Sequence, residues 1–140
     1  GLEKSIAFAG AMPARAAFKL GRMMVVPSRA ESLPYVVLEA AGAQIPLIST
    51  NVGGIPEIFG PYADRLIPSD DACILAERIA AMLARPPQEK AADASALADF
   101  VGKKFTLRNM GDAVIAGYED ALAHKRSAET GSAHPTIVKV

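Results

Sequence analysis

The sequence predicts an α/β domain built on a parallel sheet with helices on both faces. Short continuous apolar runs alternate with helical patterns, prolines and glycines stand at the joints, and there is no internal repeat. Alternation of this kind is what parallel strands joined by helical crossovers require.

Ser5 to Gly10 reads as a short strand ending at a glycine. Pro13 follows where a first helical turn tolerates proline, and Ala14, Ala17, Phe18 and Gly21 continue a helical stretch. Met23 to Val26 is an uninterrupted apolar run closed by Pro27, the pattern of a strand buried on both faces. Pro34 opens a helix through Ala43, with Tyr35, Val36, Leu38 and Ala41 as apolar contacts. Ile45 to Thr50 is a further strand, its proline near the start where a missing donor costs least.

Asn51 to Glu57 has turn chemistry and leads into a short helical turn, and Asp64 to Ile67 reads as a short strand. Asp70 or Asp71 caps a helix to about Ala84, with Ile74, Leu75, Ile79, Met82 and Leu83 on one face. Helices over about Gln88 to Phe100 and Leu107 to His124 come next, the second repeating Leu107, Met110, Val114, Tyr118 and Leu122 at helical spacing. Small and polar residues dominate from Ser127, so residues 1–126 are expected to form the domain and 127–140 a frayed tail. Doubly wound sheets usually carry more than the four strands visible here, and the first starts near residue 1; strands in front of it are expected to be missing.

Bulk properties narrow the function classes. The 140 residues suit one domain able to bury about two-thirds of its unfolded surface. Fifteen basic residues balance fifteen acidic ones, which gives no global field to recruit nucleic acid or an anionic membrane. A single cysteine, Cys73, excludes an internal disulfide and any multi-cysteine metal site, and fits a reducing compartment. No apolar run approaches the roughly 20 residues of a membrane span, and the N-terminus lacks a signal-peptide pattern.

The chemistry concentrates between Ser28 and Glu39. Glu31 falls in the loop at the carboxyl end of a predicted parallel strand, the edge where open α/β sheets bind ligands. Glu39, with seven residues between, lies on the next helix beyond its first turn. Pro34 stands at or beside the first helical position, leaving N–H groups of Leu33, Tyr35 and Val36 to face an anion along with the helix dipole. Carboxylates accept short, charge-assisted bonds from sugar hydroxyls, so sugar, diphosphate and ribose could lie along one crevice. A glutamate before a helix is also ordinary dipole-complementing surface chemistry, and a helical glutamate is usually solvated; spacing alone leaves both readings open.

Pro27-Ser28-x-x-Glu31-Ser32-Leu33-Pro34-x-x-x-Leu38-Glu39-Ala40 resembles the Glu-x7-Glu motif of glycosyltransferase family 4, the group 1 glycosyltransferases. Pro46 to Glu57 resembles the next signature of that family, and Leu66-Ile67-Pro68, a capped helix, Phe105-Thr106 and a final amphipathic helix follow in its order. The likeness runs from about Ile6 to Ala123. It implies the C-terminal, Rossmann-like half of a GT-B fold, and a retaining enzyme that takes a hexose-type sugar from a nucleotide-sugar to a glycan, lipid or small-molecule acceptor. Glu31 would then touch the transferred sugar, Glu39 the ribose, and the backbone of Ser32, Leu33, Pro34 and Tyr35 the diphosphate and sugar. Gly10 to Pro13, with Gly10 and Met12, would face the base.

The resemblance implies no metal and no cofactor beyond the donor substrate. It also implies an N-terminal acceptor domain absent from this chain, a cytoplasmic location, and membrane contact only at the periphery through the full-length protein. Two departures stand out. Many members carry Gly-Phe-Gly after the first glutamate, where Ser32-Leu33-Pro34 stands here, and proline removes one N–H donor. The basic residues that clamp the diphosphate in the family lie upstream of this segment, so the piece alone is expected to be inert.

Other residues read more simply. His124 and His134 look like surface residues, Cys73 like a small core or boundary residue, and Met12, Met23, Met24, Met82 and Met110 like core filling. Arg15, Lys19 and Arg22 form a basic stripe best read as a solvated face, with a patch for a missing domain or lipid headgroups as the second reading. Gly53-Gly54 lacks the Gly-Lys-Ser of a phosphate loop, and no Gly-x-Gly-x-x-Gly is present. Two other classes stay open at this level: a sugar-nucleotide epimerase of similar architecture, and a non-catalytic nucleotide-binding α/β module.

Overall fold

A computed structural model describes residues 1–131. They fall into two compact units, Gly1–Lys103 and a second beginning at Lys104.

The first unit is organised by two parallel strands, β1 (Met24–Val26) and β2 (Leu47–Ser49), in the register Met24 to Leu47, Val25 to Ile48 and Val26 to Ser49. Parallel neighbours need a crossover, and helix α2 (Tyr35–Gly42) supplies it. A parallel bridge between Thr50 and Ile67 continues the ladder on the other side of β2, with Ile67 donating to Ser49 at 3.1 Å and Asn51 donating to Ile67 at 2.8 Å. The architecture is therefore α/β, as the alternating pattern predicts.

Helix α1 (Ala14–Ala17) precedes β1 and passes into a 3-10 turn over Phe18–Leu20. After β2 come α3 (Ile55–Phe59), a 3-10 segment (Gly60–Arg65), α4 (Ala72–Ala84) and α5 (Pro87–Lys104). The core gathers Val37, Ala40 and Ala41 of α2, Ile48 of β2, Ile55, Ile58 and Phe59 of α3, Ile67, and Ala94, Leu97 and Val101 of α5. Helix α4 buries no residue fully, and Leu83, expected on its inner face, is exposed. Asp71 is its cap: its carboxylate accepts from Ile74 N at 2.9 Å, while Asp70 takes a left-handed φ of 60° and pairs with Arg29.

Two expected strands are absent. Ser5 to Gly10 is irregular, with Ile6 50% and Phe8 97% exposed. A short apolar run makes a strand only beside a partner that takes up the backbone groups, and no described strand pairs with this segment. In Asp64 to Ile67 only Ile67 pairs, because the 3-10 run from Gly60 continues to Arg65 and Leu66 N is turned back onto Ala63 O at 3.1 Å. Among the described residues the sheet is thus two strands and a bridge, not four strands. Cys73, Met12 and Met110 are exposed rather than packed in a core.

The second unit contains α6 (Leu107–Gly131), capped by Thr106, whose hydroxyl accepts from Asn109 N at 3.0 Å. This helix runs past Ser127, where the sequence reading starts the tail; residues 132–140, and His134 with them, lie outside the described residues. His124 is on the surface, within 2.9 Å of the Asp120 carbonyl one turn back. The apolar stripe keeps its helical spacing, with Met110, Val114, Tyr118 and Leu122 all more than half exposed. No described helix is long and apolar enough to cross a membrane.

The end of α2 generates a stability prediction. Ile45 N donates to Ala40 O and Gln44 N to Ala41 O, both at 3.0 Å, the paired bonds of a Schellman motif. Its left-handed position is held by Gln44 at φ 57°, where glycine has no Cβ penalty. Because Gln44 is exposed and loses no packing, Gln44→Gly should raise unfolding stability by about 1 kcal/mol, read from the urea midpoint.

Candidate functional site

The site is assembled where β1 ends. Pro27 stops the strand, and residues 27–34 form the loop that delivers the chain to α2. Pro34 caps that helix in an extended conformation and is buried, so its ring sets the angle at which the helix departs. Glu31 lies in the loop and Glu39 on the helix, as expected.

Glu31 is half-buried and is held by its own loop, since the Ser28 hydroxyl donates to Glu31 Oε1 at 2.7 Å. Ser28 is fixed in turn by the Thr50 hydroxyl, which donates to the Ser28 carbonyl at 2.6 Å from a position only 2% exposed. A step further back, the buried Ser49 hydroxyl donates to Val26 O at 3.2 Å. The end of β2 therefore positions the loop after β1, and through it one oxygen of Glu31.

A second support comes from the glycine pair after β2. Gly54 N donates to Ser32 O at 2.6 Å. Gly53 sits at φ 53°, and a Cβ on it would overlap the Glu31 carbonyl; one on Gly54 would overlap the Ser32 carbonyl. Two backbones touch here with no room for a side chain, which is the close approach that glycine permits.

The expected phosphate-facing groups keep their places. Val37 N and Leu38 N bond back to Pro34 O at 3.1 and 3.4 Å, so the N–H groups of Tyr35 and Val36 are those that a helix start leaves without intrahelical acceptors. Ser32 and Tyr35 are exposed and Leu33 is half-buried against the Gly54 side of the loop. Glu39 is exposed and lines a cleft of about 530 Å³ with Arg15, Phe18, Gly42 and Ala43, a size that accommodates a small ligand. Glu31 is not part of that lining, so the two carboxylates do not share this cleft. Met12 lines a separate cavity with Phe18, Met24 and Val36, and Gly10 is exposed at φ 72°. Among the described residues no group of three or more His, Cys, Asp or Glu could hold a metal ion.

Sequence reasoning quoted Ser28, Thr50, Gly53 and Gly54 within its motifs but gave none of them a part in holding the site. Ser28 had a local signal, a hydroxyl three residues before a glutamate, whereas Thr50 reaches it only through the sheet register. Gly53-Gly54 reads as a turn in sequence, and Arg15 as a solvated face.

The family described as "Glycosyl transferases group 1" matches residues 1–85, which include every residue of the Glu31 site. This chain belongs to the group 1 glycosyltransferases. It is 42% identical over 57 residues to a candidate teichuronic acid biosynthesis glycosyltransferase, TuaC, of Bacillus subtilis strain 168, a match covering 41% of this chain and 15% of that protein. It is 30% identical over 107 residues to the D-inositol 3-phosphate glycosyltransferase of Saccharomonospora viridis, covering 76% of this chain and 24% of that protein. The chain thus spans a quarter or less of these relatives' lengths. No solved structure matches it significantly.

In this group 1 glycosyltransferase chain, the glycine pair generates a direct test. Gly53→Ala forces a side chain into a left-handed position against the Glu31 carbonyl and should lower stability by about 1–3 kcal/mol. Gly42→Ala, a helical position with open space around its Cβ, is the control and should be neutral or stabilising. Equal urea midpoints for the two variants would remove the close approach from the account.

Proposed function

We propose that this chain is the donor-binding part of a retaining glycosyltransferase of family 4. It takes a nucleotide-sugar and passes a hexose-type sugar to a glycan, lipid or small-molecule acceptor held by another part of the enzyme. The observation that carries the reading is the placement of Glu31. It is pinned by Ser28 at the carboxyl end of β1, immediately before the free N–H groups of α2. A ligand with a negative diphosphate and a hydroxyl-rich sugar matches that pair of features, since helix starts attract phosphate and carboxylates accept from hydroxyls. The two relatives, named for teichuronic acid biosynthesis and for D-inositol 3-phosphate, support a glycan or small-molecule acceptor.

In this reading the diphosphate rests on the Tyr35 and Val36 N–H groups with the backbone of Ser32 and Leu33 alongside. Glu31 meets the hydroxyls of the transferred sugar through the carboxylate that Ser28 orients. Glu39 accepts from the ribose hydroxyls, and Arg15 lines the same cleft as Glu39. Gly10 and Met12 lie towards the base. Bond cleavage leaves negative charge on the diphosphate and positive, oxocarbenium character on the sugar. The helix start stabilises the first and the Glu31 carboxylate the second, so both contacts strengthen as the reaction proceeds. No metal is needed for this division of labour.

Two variants of the intact enzyme separate the carboxylates by role. Glu39→Ala removes a charged acceptor from the ribose. It should weaken both nucleoside diphosphate and nucleotide-sugar by roughly ten- to a hundredfold in calorimetry, the ~1.5–3 kcal/mol of such a bond. Unchanged affinity for the bare nucleoside diphosphate would take Glu39 out of the site.

Glu31→Gln should leave nucleoside diphosphate affinity near that of the wild type and depress kcat, because the lost contact matters most in the transition state. Steady-state kinetics with the cognate donor and acceptor measure the balance. A Glu31→Gln enzyme with wild-type kcat would overturn the role while leaving the fold intact.

A further inference from the structure

A second polar cavity lies at the opposite, amino end of β2 and is independent of the Glu31 site. It measures about 200 Å³, and four cationic side chains line it: Arg65, Arg78, Arg85 and Lys90. Asp93 is the carboxylate in its wall. Asp93 Oδ2 lies 2.7 Å from Arg85 and its Oδ1 3.3 Å from Arg65, so one carboxylate is shared between two guanidiniums. Glu89 reaches Arg85 from outside the lining at 3.4 Å. Arg78 and Lys90 make no ion pair among the described residues.

Two of the cations, Arg65 and Arg85, are also held in place. Arg65 and Arg85 are each only 35% exposed at the side chain. The Arg65 guanidinium stacks 4.3 Å from the Tyr62 ring centroid, and the hydrogen bond from Arg85 to Asp93 raises the pKa of Arg85 further above its ordinary value. A guanidinium carries five donors; Arg85 spends Nε on Glu89 and Nη1 on Asp93, and Arg65 pairs with Asp93, so each keeps donors beyond these bonds. The floor, by contrast, is apolar, formed by Ile48, Phe59 and Leu97.

We propose that this cavity is an anion site that takes a phosphate group, as free phosphate or as a small phosphomonoester whose apolar part rests on the floor. Four cations facing two carboxylates leave uncompensated positive charge that a doubly charged oxyanion would balance. The volume is below that of ordinary nucleotide-sized pockets, which restricts the occupant to a small anion. An anion there would bridge Arg65 before the Ile67 bridge, Arg78 on α4 and Lys90 on α5, and so tie three segments of the first unit together. Phosphate binding would stabilise the unit in proportion to occupancy.

The test is a side-chain NMR titration of the arginine Nε–H signals, with inorganic phosphate and with phenyl phosphate, against sodium chloride at matched ionic strength. Saturable shifts at Arg65 and Arg85 with either phosphate, absent with chloride, are expected. Saturation by inorganic phosphate identifies the free ion as sufficient; saturation by phenyl phosphate alone identifies an ester and the use of the floor.

The double variant Arg78→Gln, Lys90→Gln spares both Asp93 ion pairs, and it should weaken binding at least tenfold with an unchanged circular dichroism spectrum. Shifts matched by chloride, shifts confined to arginines outside the cavity such as Arg29, or equal affinity in the double variant would each overturn the proposal. None of these outcomes bears on the roles of Glu31 and Glu39.

Discussion

Backbone meets backbone where Gly53 and Gly54 lie against Glu31 and Ser32, and the rest of the candidate site depends on that contact. The Gly54 N–H closes onto the Ser32 carbonyl, and neither glycine has space for a Cβ. The loop after β1 is otherwise an eight-residue connection between Val26 and Tyr35 with one exposed cation and several polar groups. Such a segment would sample many conformations, at about 1–2 kcal/mol of backbone entropy per residue to hold. The glycine turn and the Thr50–Ser28–Glu31 hydrogen bonds supply the fixed partner that selects one of them.

This arrangement explains why strand register and chemistry are coupled. Thr50 reaches the Ser28 carbonyl because Val26 is opposite Ser49, which leaves the two strand ends level and puts Thr50, one residue past the end of β2, beside the loop after β1. A slip of one residue would turn Thr50 to the other face of the sheet. The register is protected by burial: Ile48, Ser49 and Thr50 are all within 2% exposure, and Ile55 and Ile58 behind them are fully enclosed. Core packing in the first unit thus sets the orientation of a half-exposed carboxylate some distance away in sequence.

The two polar cavities differ in what they ask of a ligand. The edge with Glu31 and the α2 start combines an acceptor with unpaired donors, the mixture that a sugar phosphate presents in complement. The cavity at the amino end of β2 has cations over an apolar floor and one carboxylate, Asp93, in its lining, already paired with Arg65 and Arg85, a composition that suits an anion. Both sit in the first unit, and they occupy opposite ends of β2, so occupancy of one need not obstruct the other.

By itself the sequence determined the α/β class, helices α2 to α5 to within a few residues and the start of α6, the Asp71 cap as one of two choices, and the positions of Glu31 in a loop and Glu39 on a helix. These follow from local physics: an apolar run closed by Pro27, a proline at a helix start, and carboxylates at fixed offsets from both. Tertiary structure alone decided that Ser5 to Gly10 is not a strand and that only Ile67 of the Asp64 to Ile67 segment pairs, because a strand exists only where a neighbour takes its backbone groups. It also decided the work of Ser28, Thr50 and the glycine pair, and the meeting of Arg65, Arg78, Arg85 and Lys90 around Asp93. Those residues come from segments up to dozens of positions apart, and no periodicity along the chain encodes contacts that arise only when parallel strands and their helices pack.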